Sequence, residues 1–479
     1  MGTTKPASLR DALRRSGPPD DAALLGADAR VPLTAIATGT CLDRDPALLA
    51  GRSIMLITRT QSTAALGMLD CDGLVRRMVL CPPDLDPAHM RSVMADAEVD
   101  TIVTDREVAT FDGLEVDAIV RCSTTLHPAD WDRITATAPH VATEWVMATS
   151  GTSGLPKLVV HDLAALTGAI ASSAGQTQRV VWGTFYDIRR YGGLQIFLRA
   201  ILGGRSLVLS QAGEPLIDHL TRLNAAGITH LSGTPSHWRK VLMSAEAAII
   251  APTYVRLSGE IADQAVLDSL GETFPGAKVG HAYASTEAGV GFEVNDGLEG
   301  FPAALLDATG GALAMRIEDG SLRMKSNRMA SRYLGADPPT LIDPDGFVDT
   351  GDMIERRGDR CYFVGRRGGI INVGGLKVHP EEIEAVINRH DQVRMSLVKS
   401  RRSPITGGIV VAEVVLIDAA LDEGTVRDAI IATCRASLPP HKVPAMVRFV
   451  TALEVTPGGK LARPGTGADP AGNAAKDRA

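Results

Sequence analysis

The residues able to do chemistry in this chain gather in a few short stretches. The first is Met147-Ala-Thr-Ser-Gly-Thr-Ser-Gly-Leu-Pro-Lys157. Trp145 to Ala148 reads as a strand that runs into a loop bearing the hydroxyls of Thr149, Ser150, Thr152 and Ser153, with Gly151 and Gly154 among them. Pro156 ends the loop, Lys157 adds a cation, and Leu158-Val159-Val160 reads as a second strand. Glycines let a backbone approach a ligand closely, and the exposed N–H groups of such a loop favour anions. The combination suits phosphate oxygens. It is not a Walker loop, in which Gly-Lys-Ser/Thr leads into a helix; here the lysine follows a proline and leads into an apolar strand. The plain alternative is a Ser/Gly-rich hairpin turn.

Three more stretches carry carboxylates and cations. In His281-Ala-Tyr-Ala-Ser-Thr-Glu-Ala-Gly289, Glu287 can hold Mg²⁺ between nucleotide phosphates, Tyr283 can stack on a flat base, and Thr286 can donate to a phosphate oxygen. In Phe347-Val-Asp-Thr-Gly-Asp352, the Asp352 carboxylate can accept two hydrogen bonds from a ribose diol. Thr456-Pro-Gly-Gly-Lys-Leu-Ala-Arg463 carries Lys460 on a glycine-backed loop. Taken singly, each reads equally well as a solvated loop acid, a β-turn or a surface lysine.

Taken in order, they resemble the adenylate-forming superfamily of acyl-CoA synthetases, nonribosomal adenylation domains and luciferases. The string TSGTSGLPK resembles its phosphate loop, and Tyr-x-x-Thr-Glu its second signature, with Ala284 where Gly is common. Arg256-Leu-Ser-Gly-Glu260 resembles the Gly-rich turn edging the adenine and acyl pockets, which implicates Gly259 and Glu260. Gly365 to Glu384 resembles the interdomain hinge and the loop behind it. Arg366 matches an arginine that contacts ribose and phosphates, and Gly368 stands where relatives carry a charged pivot. Gly374 and Gly375 would leave a narrow channel, and Lys377 would meet a phosphate of coenzyme A. Lys460 would reach both the attacking carboxylate and the α-phosphate, stabilising charge as pyrophosphate leaves.

The resemblance implies an α/β protein. A large N-terminal domain of mainly parallel sheets with helices spans 1–365, a hinge 366–369, and a small mobile α+β domain 370–465. It implies ATP, Mg²⁺ and coenzyme A as partners of a carboxylate substrate. The alternatives are an acyl carrier protein in trans or an amine as acceptor, or a non-catalytic nucleotide-binding protein. For the acyl pocket it points to Tyr186, Arg190, Ser232, Gly233, His237 and Ala282. Arg190 either meets a polar or anionic substrate group or pairs with Asp187, the commoner arrangement.

The elements that must position these residues alternate. Ser53 to Thr58, Val75 to Cys81 and Thr101 to Asp105 read as strands around a helix from Pro87 to Ala97, the rhythm of βαβ units. Asp162 is placed to cap a helix sharing Leu163, Leu166 and Ile170. Ser206 to Ser210, Thr229 to Leu231 and Ala277 to Val279 continue the strands, and Ile196 to Leu202 reads as a buried helix. Towards the end, His379 to His390 reads as a helix, Ile409 to Ile417 as a strand, and Thr425 to Leu438 as a helix capped by a Thr425–Asp428 pair. Beyond Pro464 the Gly/Ala/Asp/Pro tail has little to bury, so 466–479 is expected to be disordered.

A net charge of −7 with no long basic tract argues against nucleic acid. The six cysteines lack Cys-x-x-Cys spacing, so they are expected to be reduced core thiols rather than metal ligands or disulfides. No apolar run is long enough to span a membrane, and residues 1–19 lack an apolar signal core, so the expected compartment is cytoplasmic.

Overall fold

The structure is a computed structural model that describes residues 8–138, 140–149, 156–170, 178–307, 311–403, 407–418, 420–456 and 458–463. Ser150, Gly151, Thr152, Ser153 and Gly154 of the glycine loop lie outside the described residues, as does the 466–479 tail.

Among the described residues the large part of the chain builds two eight-stranded sheets. In the first, Ser53–Ile57 pairs in parallel with Arg77–Cys81 on one side and Thr101–Thr104 on the other, as the βαβ rhythm predicts. Arg77–Cys81 continues in parallel to β1 (Glu144–Thr149), which turns antiparallel into β2 (Lys157–His161), so Thr149 and Lys157 face each other at the mouth of the glycine loop. The second sheet includes Val181–Thr184, which precedes the helix α1 (Tyr191–Leu202), and carries β3 (His230–Gly233) beside it. The helix α2 (Pro235–Leu242) then leads to β4 (Tyr254–Ser258), β5 (Lys278–Ser285) and β6 (Gly289–Val294). β3, β4 and β5 are parallel, and β6 returns antiparallel along β5.

Two helices fill the main core. All residues of Gln61–Cys71 are buried, and α1 buries Leu194, Ile196, Phe197, Leu198 and Ile201 beside them. The polar side chains of Gln61–Cys71 are buried with the rest, and Asp70 is paired with Arg10 and Thr40. β4 divides its residues by the two-residue period of a strand: Val255 and Leu257 enter a separate core with Trp238 and Leu220.

A five-stranded sheet includes β7 (Val348–Arg357) and β8 (Arg360–Arg366), which are antiparallel with Asp352 opposite Arg366. The C-terminal α+β part has its own core of Ile383, Val386, Ile387, Val398, Val414, Val426 and Ile430. It contains a hairpin (Ile371–Val373 with Leu376–Val378), the helix α3 (Pro380–Ile387), and a three-stranded sheet.

Several expectations shift. The last long helix is Glu423–Ser437, and its cap is Asp422, whose Oδ2 accepts from the Thr425 N–H at 2.8 Å; Thr425 lies inside the first turn. Asp162 does cap its helix, accepting from the Ala165 N–H at 2.6 Å, but the helix ends at Thr167 and leaves Ile170 outside. α1 begins at Tyr191, ahead of the apolar run, and includes Gly192 and Gly193. The polar N-terminal segment holds a helix, Leu9–Ser16, capped by Ser8, with Leu9 and Leu13 buried. All six cysteines are free and buried. Among the described residues no helix is long and apolar enough to cross a membrane.

Candidate active site

The end of β4 is the meeting point. Beyond Ser258 the chain turns through Gly259 to Glu260, and the Lys460 side chain lies against this turn. A Cβ placed on Gly259 would be 3.3 Å from Lys460 Cε and 3.9 Å from Nζ. Three interactions seat the Lys460 loop. Thr234 Oγ1 donates to the Gly459 carbonyl at 2.5 Å. Glu260 Oε1 accepts from the Leu461 N–H, and its Oε2 from the Ser236 N–H, both at 2.9 Å. Gly459 has φ of +76°, and a Cβ there would overlap the His237 imidazole, so both conformation and close approach demand glycine. Desolvation lowers the pKa of Lys460; Glu260 opposes the shift, Arg366 and Arg190 add to it, and Asp352 opposes it.

Beside Lys460, strands far apart in sequence assemble a polar triad. Tyr283 from β5 donates its hydroxyl to Asp352 Oδ2 at 2.6 Å, and Arg366 Nε from β8 sits 2.9 Å from Asp352 Oδ1. Arg366 also donates to the Thr350 carbonyl at 3.2 Å. The Tyr283 ring lies nearly parallel to Phe363, 5.0 Å between centroids, and to Phe292 at 5.7 Å. Burial, then the neighbouring Asp352, raises the Tyr283 pKa well above its ordinary value, so the phenol stays a donor. Each Asp352 oxygen retains a second lone pair for a sugar hydroxyl.

Glu287 lies in the turn between β5 and β6. Its carbonyl accepts from the Ala330 N–H at 3.0 Å, and its carboxylate hydrogen-bonds Tyr333, whose pKa is pushed up to about 12 by burial and by that contact. Lys157 Nζ stands over the Tyr333 ring at 5.4 Å. The Thr286 carbonyl contacts His161 Nε2 at 2.7 Å, and burial holds His161 neutral, its pKa lowered to about 4. Among the described residues no group of three or more His, Cys, Asp or Glu converges. A lone hard carboxylate at Glu287 fits Mg²⁺, which takes most of its ligands from water and phosphate.

The residues expected to line an acyl pocket divide into supports and candidates. Tyr186 donates its hydroxyl to the Ser258 carbonyl at 2.8 Å, and burial raises its pKa, so it braces the turn as a neutral phenol. His237 shares a capping box with Thr234 at the start of α2 and is held neutral by burial, its pKa lowered to about 3. A Cβ on Gly233 would meet the Phe185 ring at 2.9 Å. Ser232 and Ala282 are buried on their strands. Arg190 does not pair with Asp187. Arg189 takes that carboxylate, at 2.6 and 2.8 Å, and Arg190 pairs with Asp84. Gly374, Gly375 and Lys377 form an exposed hairpin tip with φ of +58° and +86° at the two glycines, where an added Cβ meets nothing within 4 Å. The two glycines provide the positive φ that this turn requires.

The sequence reading assigned Glu260 to a nucleotide and missed its hold on two backbone segments. It also passed over Arg256, Arg199 and Glu293. Their signals were present: Arg256 interrupts the apolar Val255 and Leu257, and Tyr191, Gln195 and Arg199 recur every fourth residue in an otherwise apolar helix.

The chain belongs to the AMP-binding enzyme family: residues 51–334 match that family, and residues 382–460 match the AMP-binding enzyme C-terminal domain. It is an adenylate-forming enzyme with the fold of acyl- and aryl-CoA ligases. It is 25% identical over 392 residues to a 2-succinylbenzoate–CoA ligase of Listeria monocytogenes, covering 78% of this chain and 77% of that protein. It is 26% identical over 368 residues to CymA of Salinispora arenicola, described as a probable non-canonical nonribosomal peptide synthetase, covering 70% of this chain and 4% of that protein. The anthranilate CoA ligase AuaEII, solved with anthranoyl-AMP, shares the fold with a TM-score of 0.75 at 16% identity over 95% of each chain.

Proposed function

We propose that this protein activates a carboxylic acid with ATP and passes the acyl group to the thiol of coenzyme A. The observation that carries this reading is the seat of Lys460 on the Gly259 turn, beside the Asp352–Arg366–Tyr283 triad. In the first step a carboxylate oxygen bonds the α-phosphorus of ATP, and the bond to the bridging oxygen breaks, so pyrophosphate leaves with the electron pair. A fixed ammonium at Lys460 favours the transition state because charge grows on the α-phosphate oxygens there. Asp352 takes the ribose hydroxyls and Arg366 the adjoining phosphate, while Thr149, Lys157 and the glycine loop 150–154 hold the outer phosphates. Glu287 would hold Mg²⁺, which neutralises phosphate charge when bound. In the second step the coenzyme A thiolate bonds the acyl carbon, and AMP leaves as the acyl–oxygen bond breaks.

That second step requires a different group near the adenylate. The C-terminal part would turn about 366–369 to exchange the Lys460 loop for the Gly374–Lys377 hairpin. The match to CymA supports a second reading, in which a carrier protein in trans takes the acyl group. ATP–pyrophosphate exchange across a carboxylate panel tests the first step, with carboxylate-dependent exchange expected. Exchange without thioester when coenzyme A is added would select the other acceptor. ATP binding without exchange for any acid would leave a nucleotide-binding protein.

A further inference from the structure

The face of β4 turned away from the Trp238 core holds an unusual concentration of charge. Arg256 projects from it and is 5% exposed. Its Nη2 lies 2.8 Å from Glu293 Oε1 on β6, and Arg199 Nη2 from α1 donates to the same oxygen at 3.2 Å. Tyr191, Gln195 and Arg199 stand at i, i+4 and i+8, so one stripe of α1 faces this cluster. Arg328 reaches in from the other side, donating to the Val290 and Gly291 carbonyls at 3.3 and 3.2 Å. All three guanidiniums oppose the rise that burial causes in the Tyr191 pKa, so they share one neighbourhood.

The cluster's charges do not balance. Among the described residues, three guanidiniums meet one carboxylate, Glu293, which lies at the exposed edge of the cluster. Among the same residues the buried Nε donors of Arg199, Arg256 and Arg328 have no acceptor, and the buried Oε1 of Gln195 has no donor. Burying a cation without its counter-charge is costly, and a core of this kind is better filled with apolar groups unless something supplies the missing anion. The position says what that anion belongs to. Arg256 is two residues before Ser258 on the same strand face, a step of about 7 Å. Ser258 adjoins the Gly259 turn that carries Lys460. An acid whose carboxylate meets Lys460 would end against these arginines if its body ran inward along β4.

We propose that the acid activated here carries a second anionic group, bound by Arg256 and Arg199 at the inner end of the acyl pocket. The inference rests on the adenylating activity proposed above. A carboxylate takes paired guanidinium donors in a geometry that an alkyl or aryl end cannot use. Glu293 anchors the two arginines between turnovers and competes weakly with the substrate for them. The substrate class is a compact dicarboxylic acid, or an oxo-acid with a distal carboxylate, rather than a simple fatty or benzoic acid.

Pyrophosphate exchange with matched pairs tests this: butanoate against glutarate, and benzoate against isophthalate. In at least one pair the diacid should exceed the monoacid by about 30-fold or more in kcat/KM, the scale of losing one buried charge partner. Arg256→Met should erase most of that preference by raising KM, with kcat little changed. Arg199→Met provides the same readout if the first variant does not fold. Glu293→Gln should lower KM for the diacid, since it removes the competing anion; a purely structural role would not produce that gain. Monoacids preferred in every active pair, or diacid and monoacid equally affected by both arginine variants, overturns the inference alone. No exchange with any acid, despite bound ATP, overturns the adenylating reading and this inference with it.

Discussion

The C-terminal part carries two loops of similar make, Gly374-Gly375-Leu376-Lys377 and Gly458-Gly459-Lys460, and the structure treats them oppositely. The second is docked. Thr234 and Glu260 hold its backbone, and Gly459 fits under His237 with no room for a side chain. The first is an exposed hairpin whose glycines touch nothing. Two adjacent glycines therefore have two separate uses, close approach in one loop and a reversed backbone in the other. The lesson is that a lysine acquires a chemical role from where its loop is seated, and here the Lys460 loop is the seated one.

The sharpest way to break this comparison is to remove each lysine. Lys460→Ala should slow adenylation by ~10²–10³, the scale of losing one transition-state donor, and should spare thioester formation from preformed acyl-adenylate. Lys377→Ala should do the reverse, weakening the thioester step and sparing exchange. Equal losses in both steps for either variant would reduce that lysine to a structural part. A smaller, more selective effect is expected at Gly368, which lies in the short 3-10 turn Arg367–Gly369. Such turns have φ of roughly −50 to −70°, the value proline imposes. Gly368→Pro should therefore retain the arrangement described here, with exchange within about threefold of wild type. Single-turnover thioester formation should fall far more, and proportional losses would mean that residue 368 is not the pivot. Smaller still are the glycines. Gly459→Ala should cost adenylation roughly tenfold or more through strain and overlap with His237. Gly375→Ala should cost about 1 kcal/mol of stability and no exchange rate, read from a denaturant midpoint.

The parallel strands, the capped helices and the order of the chemical stretches were legible because each is written in short-range pattern. Asp162 caps its helix as its position predicts, and the cysteines are buried thiols. The misses have a common cause. Asp422 took the cap from Thr425 because two residues of similar propensity stood near one helix start, and backbone geometry chose between them. Arg190 finds Asp84, distant along the chain, while the adjacent Arg189 takes Asp187. Ion-pair partners are settled by which strands end side by side, and pattern along one strand does not carry that. The hold of Glu260 on Ser236 and Leu461 was not legible because those backbone partners become neighbours only on folding.

That glutamate has a consequence of its own. One oxygen grips the start of α2, in the large part, and the other grips the Leu461 amide, in the part that would swing. The side chain thus works as a latch with one end bolted down. Its free end is occupied only while the Lys460 loop is home. The proton on the Leu461 nitrogen is then a clock: it exchanges with solvent deuterium when the latch is open and not when it is shut. Its exchange rate would therefore count the fraction of time the Lys460 loop spends away from its first-step seat, without any substrate being turned over.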